Sequence, residues 1–399
     1  MSDTVFAYVP PERIPTGSGS LDGKRYSIQP NMSVAGWPTD AGSLALENYC
    51  PLETAAVVER VESDGGRIVG STHMAELGLG IHEDSAKDAV SEGLCDVAFV
   101  TDTLGEARLV ASKAGAFGLK PSCGRVSRFG LIGLVPSMET YGLVSKRIED
   151  LIETMARLSA RDPRDPSMCS KALLDLATAM KKPQGVSTIG VIQECLDGLD
   201  AETSEAFDKE LSKLERMGGS LRRISFPELS LFQTVHHVVG AVEASSSAGK
   251  YDGVRYGHRA SGTENWNEMY MKSRAKAFGS LVKSYLFQGA YFQFEDYEAF
   301  ESACRVRRRL VEAMDSLFDQ VDLLACPCHA PSGPSLEKPA SVEELYETCG
   351  YTLPWNVTGQ PALVLDGDGS GAKVGIQLVA RFMDDARLLA FADRLARGT

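Results

Sequence analysis

No run of apolar residues in this 399-residue chain approaches the length of a bilayer span, so the sequence does not read as a membrane-embedded protein. Positive charge is in short supply: 41 Lys and Arg stand against 54 Asp and Glu, a balance of −13. Contact with phosphates or with an anionic lipid surface needs clustered cations, so neither direct nucleic-acid binding nor membrane docking is expected. The opening residues, Met1-Ser2-Asp3-Thr4-Val5-Phe6, lack a basic stretch followed by an apolar one; no export signal is expected and the chain reads as cytoplasmic. The nine cysteines are odd in number, scattered and mostly inside apolar runs, a usage that fits reduced thiols rather than a disulfide framework. Repeats and low-complexity segments are absent. What is present is 43% apolar content, enough for one large core or two modest ones.

Residues 1–20, with Pro, Gly and Ser concentrated from Pro10 to Ser20, read as an irregular lead-in, and residues 21–399 as one domain. Strand-like and helix-like segments then alternate. Helical spacing over Leu52–Ser63 precedes a short apolar run at Arg67–Gly70, and Asp96–Val100 has the character of a buried strand. Lys146–Leu158 repeats apolar residues every three to four positions, as an amphipathic helix does. Ser187–Gln193 and Leu221–Phe226 read as strands around a charged helix, Ala201–Met217, whose end is marked by Gly218-Gly219. The pattern from 228 to about 320 is almost wholly helical. Strands return at Val321–Cys326, Ala362–Leu365 and Ala372–Val379, and a last helix runs from about Asp384 to Arg397. The expected class is α/β: a mixed, twisted sheet flanked by helices, with a helical excursion at about 228–320 and the terminal strands joining the first sheet.

The segment Thr101–Gly142 carries the most specific pattern. It opens Thr101-Asp102-Thr103-Leu104-Gly105-Glu106-Ala107-Arg108 and continues through Gly118-Leu119-Lys120-Pro121-Ser122 and Gly124-Arg125-Val126-Ser127-Arg128. Further along stand Asp162-Pro163-Arg164-Asp165, Glu243-Ala244-Ser245-Ser246, Tyr251-Asp252-Gly253, Pro354-Trp355-Asn356, Gly359-Gln360-Pro361-Ala362 and Gly375-Ile376-Gln377. In this order the motifs resemble the amidase signature family, from about Leu21 to the C-terminus. Within it they are most similar to the branch formed by the A subunits of the tRNA-dependent glutamyl/aspartyl amidotransferases.

The resemblance implies an amide-cleaving site built from a serine nucleophile, a bridging serine and a lysine base, with backbone N–H groups of the glycine turn stabilising the oxyanion. Carried over residue by residue, it also implies that the chemistry is missing. The nucleophile position holds Glu106, whose charge would repel a forming oxyanion, and the first turn glycine is Leu104, a strained residue if that position needs positive φ. The base position holds Gln29. Lys24, five residues earlier on an expected strand, points to the opposite face. The family's Gly-Ser loop has no counterpart; His82 falls nearest the bridging position, and Ser85 is the only serine near it. Around the substrate pocket, the resemblance puts His236 or His237 at a tyrosine position, Ser284 or Tyr285 at an arginine position and Cys349 at an acid position. Gln29, His82, Asp102, Thr103, Leu104, Gly105, Glu106, His236, Tyr285 and Cys349 then line a vestigial pocket, with no catalytic residue among them.

Glu106, His82, Glu83, His236, His237 and Cys349 are metal-ligand residue types, but no spacing among them resembles a metal motif, and the simpler reading is that they fill a vacated polar site. Cys326-Pro327-Cys328-His329 reads as a strand-end turn, and Asp366–Gly371 as a turn between strands rather than a phosphate loop. No metal or cofactor is expected. Arg305–Arg309 reads as a solvated helix face. The expected function is that of a catalytically inactive paralogue acting through a protein or ligand. An amidotransferase-like partner or a homodimer is expected, with the recurring aromatics Phe287, Tyr291, Phe292, Phe294, Tyr297 and Phe300 as an association surface if they are exposed. The alternatives are an enzyme with a rebuilt pocket for an amide or amino-acid-like ligand and, less favoured, a working amidase.

Overall fold

The computed structural model describes residues 5–11, 14–81, 85–169, 176–181, 185–329, 339–365 and 375–398. Its strands are β1 (Phe6–Tyr8), β2 (Arg25–Ile28), β3 (Arg67–Thr72), β4 (Val97–Asp102), β5 (Phe117–Lys120), β6 (Thr140–Ser145), β7 (Thr188–Ile192), β8 (Ser220–Ile224), β9 (Leu323–Pro327), β10 (Ala362–Leu365) and β11 (Ile376–Ala380). They form one mixed sheet in the order β1-β3-β2-β4-β6-β5-β10-β11-β9-β7-β8. The terminal strands β10 and β11 bridge the two halves through antiparallel pairing with β5 and β9.

Period-two alternation assigns each strand residue to one of two buried faces. Along β9, β10 and β11, Leu324, Cys326, Ala362, Val364 and Val379 enter one apolar cluster. Their neighbours Leu323, Ala325, Leu363, Leu365, Ile376, Leu378 and Ala380 enter the other. The helices Ile148–Leu158, Ala201–Arg216 and Asp385–Arg397 cover the second face through Leu151, Met155, Phe207, Leu214, Leu388 and Phe391. The helical excursion covers the first face through Phe232, Val235, Tyr285, Leu310 and Met314. Both sides are dry, which is why strands such as β4 and β6 read as continuous apolar runs.

Within the excursion, the helices Leu231–Ser247 and Ser280–Phe294 approach closely at two glycines. A Cβ on Gly289 would lie 1.8 Å from the Ala241 carbonyl oxygen, and one on Gly240 2.4 Å from Tyr285 Oη. Three boundaries differ from the sequence expectation. Phe6–Tyr8, inside the expected irregular lead-in, pairs antiparallel with β3, a strand too short to show periodicity by itself. The helix expected over Leu52–Ser63 occupies only Ala56–Ser63, and Tyr251–Asn265 interrupts the excursion between helices. Asp366–Gly371 lies outside the described residues.

Candidate functional site

The end of β4 is fixed by a buried network that joins three distant stretches of sequence. Arg108 holds the Asp102 carboxylate through Nη2 (2.9 Å) and Nε (3.2 Å), and both side chains are fully buried. The same guanidinium donates to Thr352 O (2.8 Å), Gln377 Oε1 (2.6 Å) and Asn356 Oδ1 (2.6 Å). Asn356 Nδ2 in turn donates to the Asp102 carbonyl (3.0 Å), its carboxylate (2.9 Å) and Met138 O (3.1 Å). A charge pair in a dry interior persists only when its remaining donors and acceptors are satisfied, and here Asn356 and Gln377 satisfy them. The separated Asp-x₅-Arg, Pro-x-Asn and Gly-Ile-Gln patterns are therefore one structural object.

This network presents the turn Thr103–Gly105 at the start of the helix Glu106–Ala114. Gly105 has φ 118°, and a Cβ there would sit 2.1 Å from Thr352. The strain expected for Leu104 does not arise: the positive φ of this turn belongs to Gly105, and Leu104 is an ordinary buried core residue. Thr352 Oγ1 donates to the Leu104 carbonyl, tying the turn to the loop before Asn356.

The three N–H groups of the turn converge on the turn's own next residue. Glu106 Oε2 accepts from Thr103 N (2.7 Å), Leu104 N (2.8 Å) and Gly105 N (3.1 Å), and Oε1 accepts from Gly80 N (3.3 Å). Such a set of aligned amides at a helix start is a nest for negative charge. Burial, and then the nearby Asp102 charge, push the Glu106 carboxyl up to about 7 against the pull of these donors.

Gln29 comes to the same end of the sheet because β2 and β4 run parallel with Ser27 opposite Ala98, which brings Gln29 to the level of Val100 and Thr101. Its Oε1 accepts from Thr101 N (2.8 Å), one step before the turn. Gln29 thus ties down β4 and does not bond to Glu106. Lys24 is held elsewhere, by Asp150 and by Glu153 (3.0 Å) on the helix Ile148–Leu158. His82 and Glu83 lie outside the described residues; Ser85 opens the helix Ser85–Ser91.

Of the paired alternatives, His236 and Tyr285 are the inward residues. His236 Nε2 donates to the Thr103 carbonyl (3.0 Å), so Nδ1 accepts from Tyr346 Oη (2.8 Å), whose oxygen accepts from Tyr285 Oη (3.0 Å). Burial holds His236 near pKa 3, hence neutral, and keeps the Tyr346 and Cys349 protons in place far above their ordinary range. His236, Tyr285 and Cys349 are fully buried and Glu106 is 3% exposed. The pocket at the turn is filled by its own side chains. His237 stacks on Tyr285 without joining this chain of bonds, and Ser284 faces solvent. Sequence reasoning misses Tyr346, Thr352 and Gly80; a tyrosine three residues before Cys349, on the same helical face, is the available signal for the first. Among the described residues, no group of three His, Cys, Asp or Glu side chains is placed to hold a metal ion. Cys326–Cys328 closes β9, with Gln377 Nε2 donating to Cys326 Sγ (3.3 Å). Arg307 departs from the solvated-face expectation, since it bridges Val357 O and Ser137.

Beside the filled turn lies an open cavity of about 940 Å³, lined by Pro30, Leu79 and Ile81 next to the Gln29 and Gly80 positions, and by Glu76, Phe278 and Val282 across from them.

A mixed sheet between helical layers is the fold of the amidase structures that this chain matches. The chain belongs to the amidase family, whose sequence model matches residues 15–86 and 88–389. It is 32% identical to the A subunit of glutamyl-tRNA(Gln) amidotransferase from Trichodesmium erythraeum, over 94% of this chain and 84% of that protein. It is likewise 32% identical to the protein of the same name from Natronomonas pharaonis, over 96% of this chain and 97% of that one. In three dimensions it superposes on the A subunit of glutamyl-tRNA(Gln) amidotransferase from Thermotoga maritima with a TM-score of 0.77, at 23% identity, covering 97% of this chain and 86% of that one. A 6-aminohexanoate cyclic dimer hydrolase matches with the same TM-score, 0.77, at 20% identity, over 96% of this chain and 86% of that one. No helix among the described residues is long and apolar enough to cross a membrane.

Proposed function

We propose that this chain is an amidase-family protein that does not hydrolyse amides and acts by binding a protein partner. One observation carries the reading: the Glu106 carboxylate occupies the amide nest in which a tetrahedral oxyanion would have to form. An oxyanion placed there would meet a carboxylate in the same nest, and displacing that side chain would leave its buried charge without donors. Among the described residues, no serine, lysine or ionised imidazole bonds to the turn to activate a nucleophile; Gln29 has no basic nitrogen and His236 spends both ring nitrogens on Thr103 and Tyr346. The relatives named as amidotransferase subunits support a role inside an assembly, which needs packed surfaces rather than a working amide site.

The test is release of ammonia from glutamine, asparagine and simple aryl amides by the purified chain, expected at the level of a protein-free blank. Turnover abolished by a serine-directed covalent inhibitor would overturn the reading. The cavity beside the turn supports a second reading, an enzyme or ligand-binding protein whose site has moved outward from the filled pocket. Saturable binding of an amino acid or amide by calorimetry, lost on Leu79→Trp, would favour it.

A further inference from the structure

The helix Ser280–Phe294 is apolar on two sides. Val282, Tyr285, Leu286 and Gly289 face the core, with Gly289 against the helix Leu231–Ser247. On the outside, Phe287, Tyr291 and Phe294 follow at spacings of four and three residues and are 73%, 53% and 74% exposed, and Tyr297, also exposed, opens the following helix. A helix that is apolar all round is normally buried all round, and three adjacent large aromatics in water are more than the scattered apolar exposure of ordinary surfaces.

We infer that this face is an interface between two copies of the chain, paired antiparallel about a two-fold axis at the level of Gly289. This rests on the proposal of a binding protein and deepens it by naming the partner. The pattern of the outer ridge favours a second copy. Lys283, Phe287, Tyr291 and Glu295 stand four residues apart, in one row along the helix. Turned end for end, this row is its own complement: Phe287 meets Tyr291 of the other copy, and Lys283 meets Glu295 at both ends. An isologous contact requires such self-complementarity, whereas a basic or acidic partner would call for one sign of charge along the rim. The size also fits. The four exposed aromatics leave roughly 500 Å² uncovered on each copy, so covering all of them in both copies would remove roughly 1,000 Å², the lower bound for a specific interface.

Sedimentation equilibrium of the full chain across the micromolar range tests this. The unaltered chain is expected to dimerise, and Phe287→Ser to raise the dissociation constant at least about tenfold, with an unchanged far-ultraviolet circular dichroism spectrum because the residue is exposed. Lys283→Glu is expected to weaken the dimer, and combining it with Glu295→Lys to restore it, a recovery that only antiparallel self-pairing provides. A chain that stays monomeric, a dimer indifferent to Phe287→Ser, or a heterologous protein held through this face by monomeric chain would each overturn the inference. Amide turnover would sink the silent-site proposal and leave the dimer standing, so the two failures are distinguishable.

Discussion

Replacing Glu106 by alanine removes the common acceptor of three backbone N–H groups in a place closed to solvent. Each buried donor left without an acceptor costs about 1–3 kcal/mol, and water entering the vacated volume recovers part of this, so a loss of about 3–5 kcal/mol is expected. The pH dependence gives the change a signature that a simple packing defect lacks. The carboxyl is raised to about 7 in the folded chain from an ordinary 4.5, so the folded state binds its proton more tightly. The stability Glu106 gains from this is full below about pH 4.5 and is lost as pH rises through 7, with a ceiling of about 3 kcal/mol. His236 runs oppositely: burial lowers it from 6.5 to about 3, so its contribution is full above pH 6.5 and is lost as pH falls toward 3. The two oppose each other between about pH 4.5 and 6.5 in the unaltered chain. Urea unfolding followed by tryptophan fluorescence at a series of pH values should show the Glu106→Ala variant losing the falling limb and keeping the rising one. Formate, a carboxylate small enough for the nest, should raise the variant's midpoint and leave the parent's unchanged. A variant as stable as the parent, with the same pH profile and no response to formate, would refute the account of the turn.

Gly105→Ala should destabilise by at least about 2 kcal/mol, because φ 118° and the contact 2.1 Å from the Thr352 Cβ and Oγ1 both oppose a Cβ; adding Thr352→Gly, which removes both atoms, should recover the contact part only, which a double-mutant cycle in thermal unfolding resolves. Arg108→Met strands the buried Asp102 carboxylate and should cost about 3–5 kcal/mol, and Arg108→Lys should rescue little, since one ammonium cannot span Asp102, Thr352, Asn356 and Gln377; soluble yield and urea midpoints check both. His236→Phe should remove the stability lost between pH 6.5 and 3, and the imidazole of the parent should show no titration by NMR between pH 5 and 8. Gly289→Ala should cost several kcal/mol by forcing apart two helices at a contact of 1.8 Å, seen as a lowered melting temperature.

Fold class and the order of the elements were legible in the chain alone, because hydrophobic period and turn residues are local properties. The short apolar runs of β10 and β11, the Gly218-Gly219 stop after Arg216 and the recurrence over Ile148–Leu158 needed no partner to be read. Contiguous motifs also placed Glu106 and Gln29 at the ends of their strands. What those residues do was decided by packing between distant segments. That the Glu106 carboxylate turns back into the amides of its own turn depends on Gly80 and on the Asp102–Arg108–Asn356 network, whose members lie as far as 254 positions apart. The choice of His236 over His237, and of Tyr285 over Ser284, rests on which side of a helix meets Thr103 and Tyr346, since adjacent residues on a helix point about 100° apart. The positive φ at Gly105 rather than Leu104, and the aromatics that stay in water rather than in the core, were likewise fixed by neighbours brought in from elsewhere in the chain. Periodicity marks a face of a helix; the packed fold determines what that face meets.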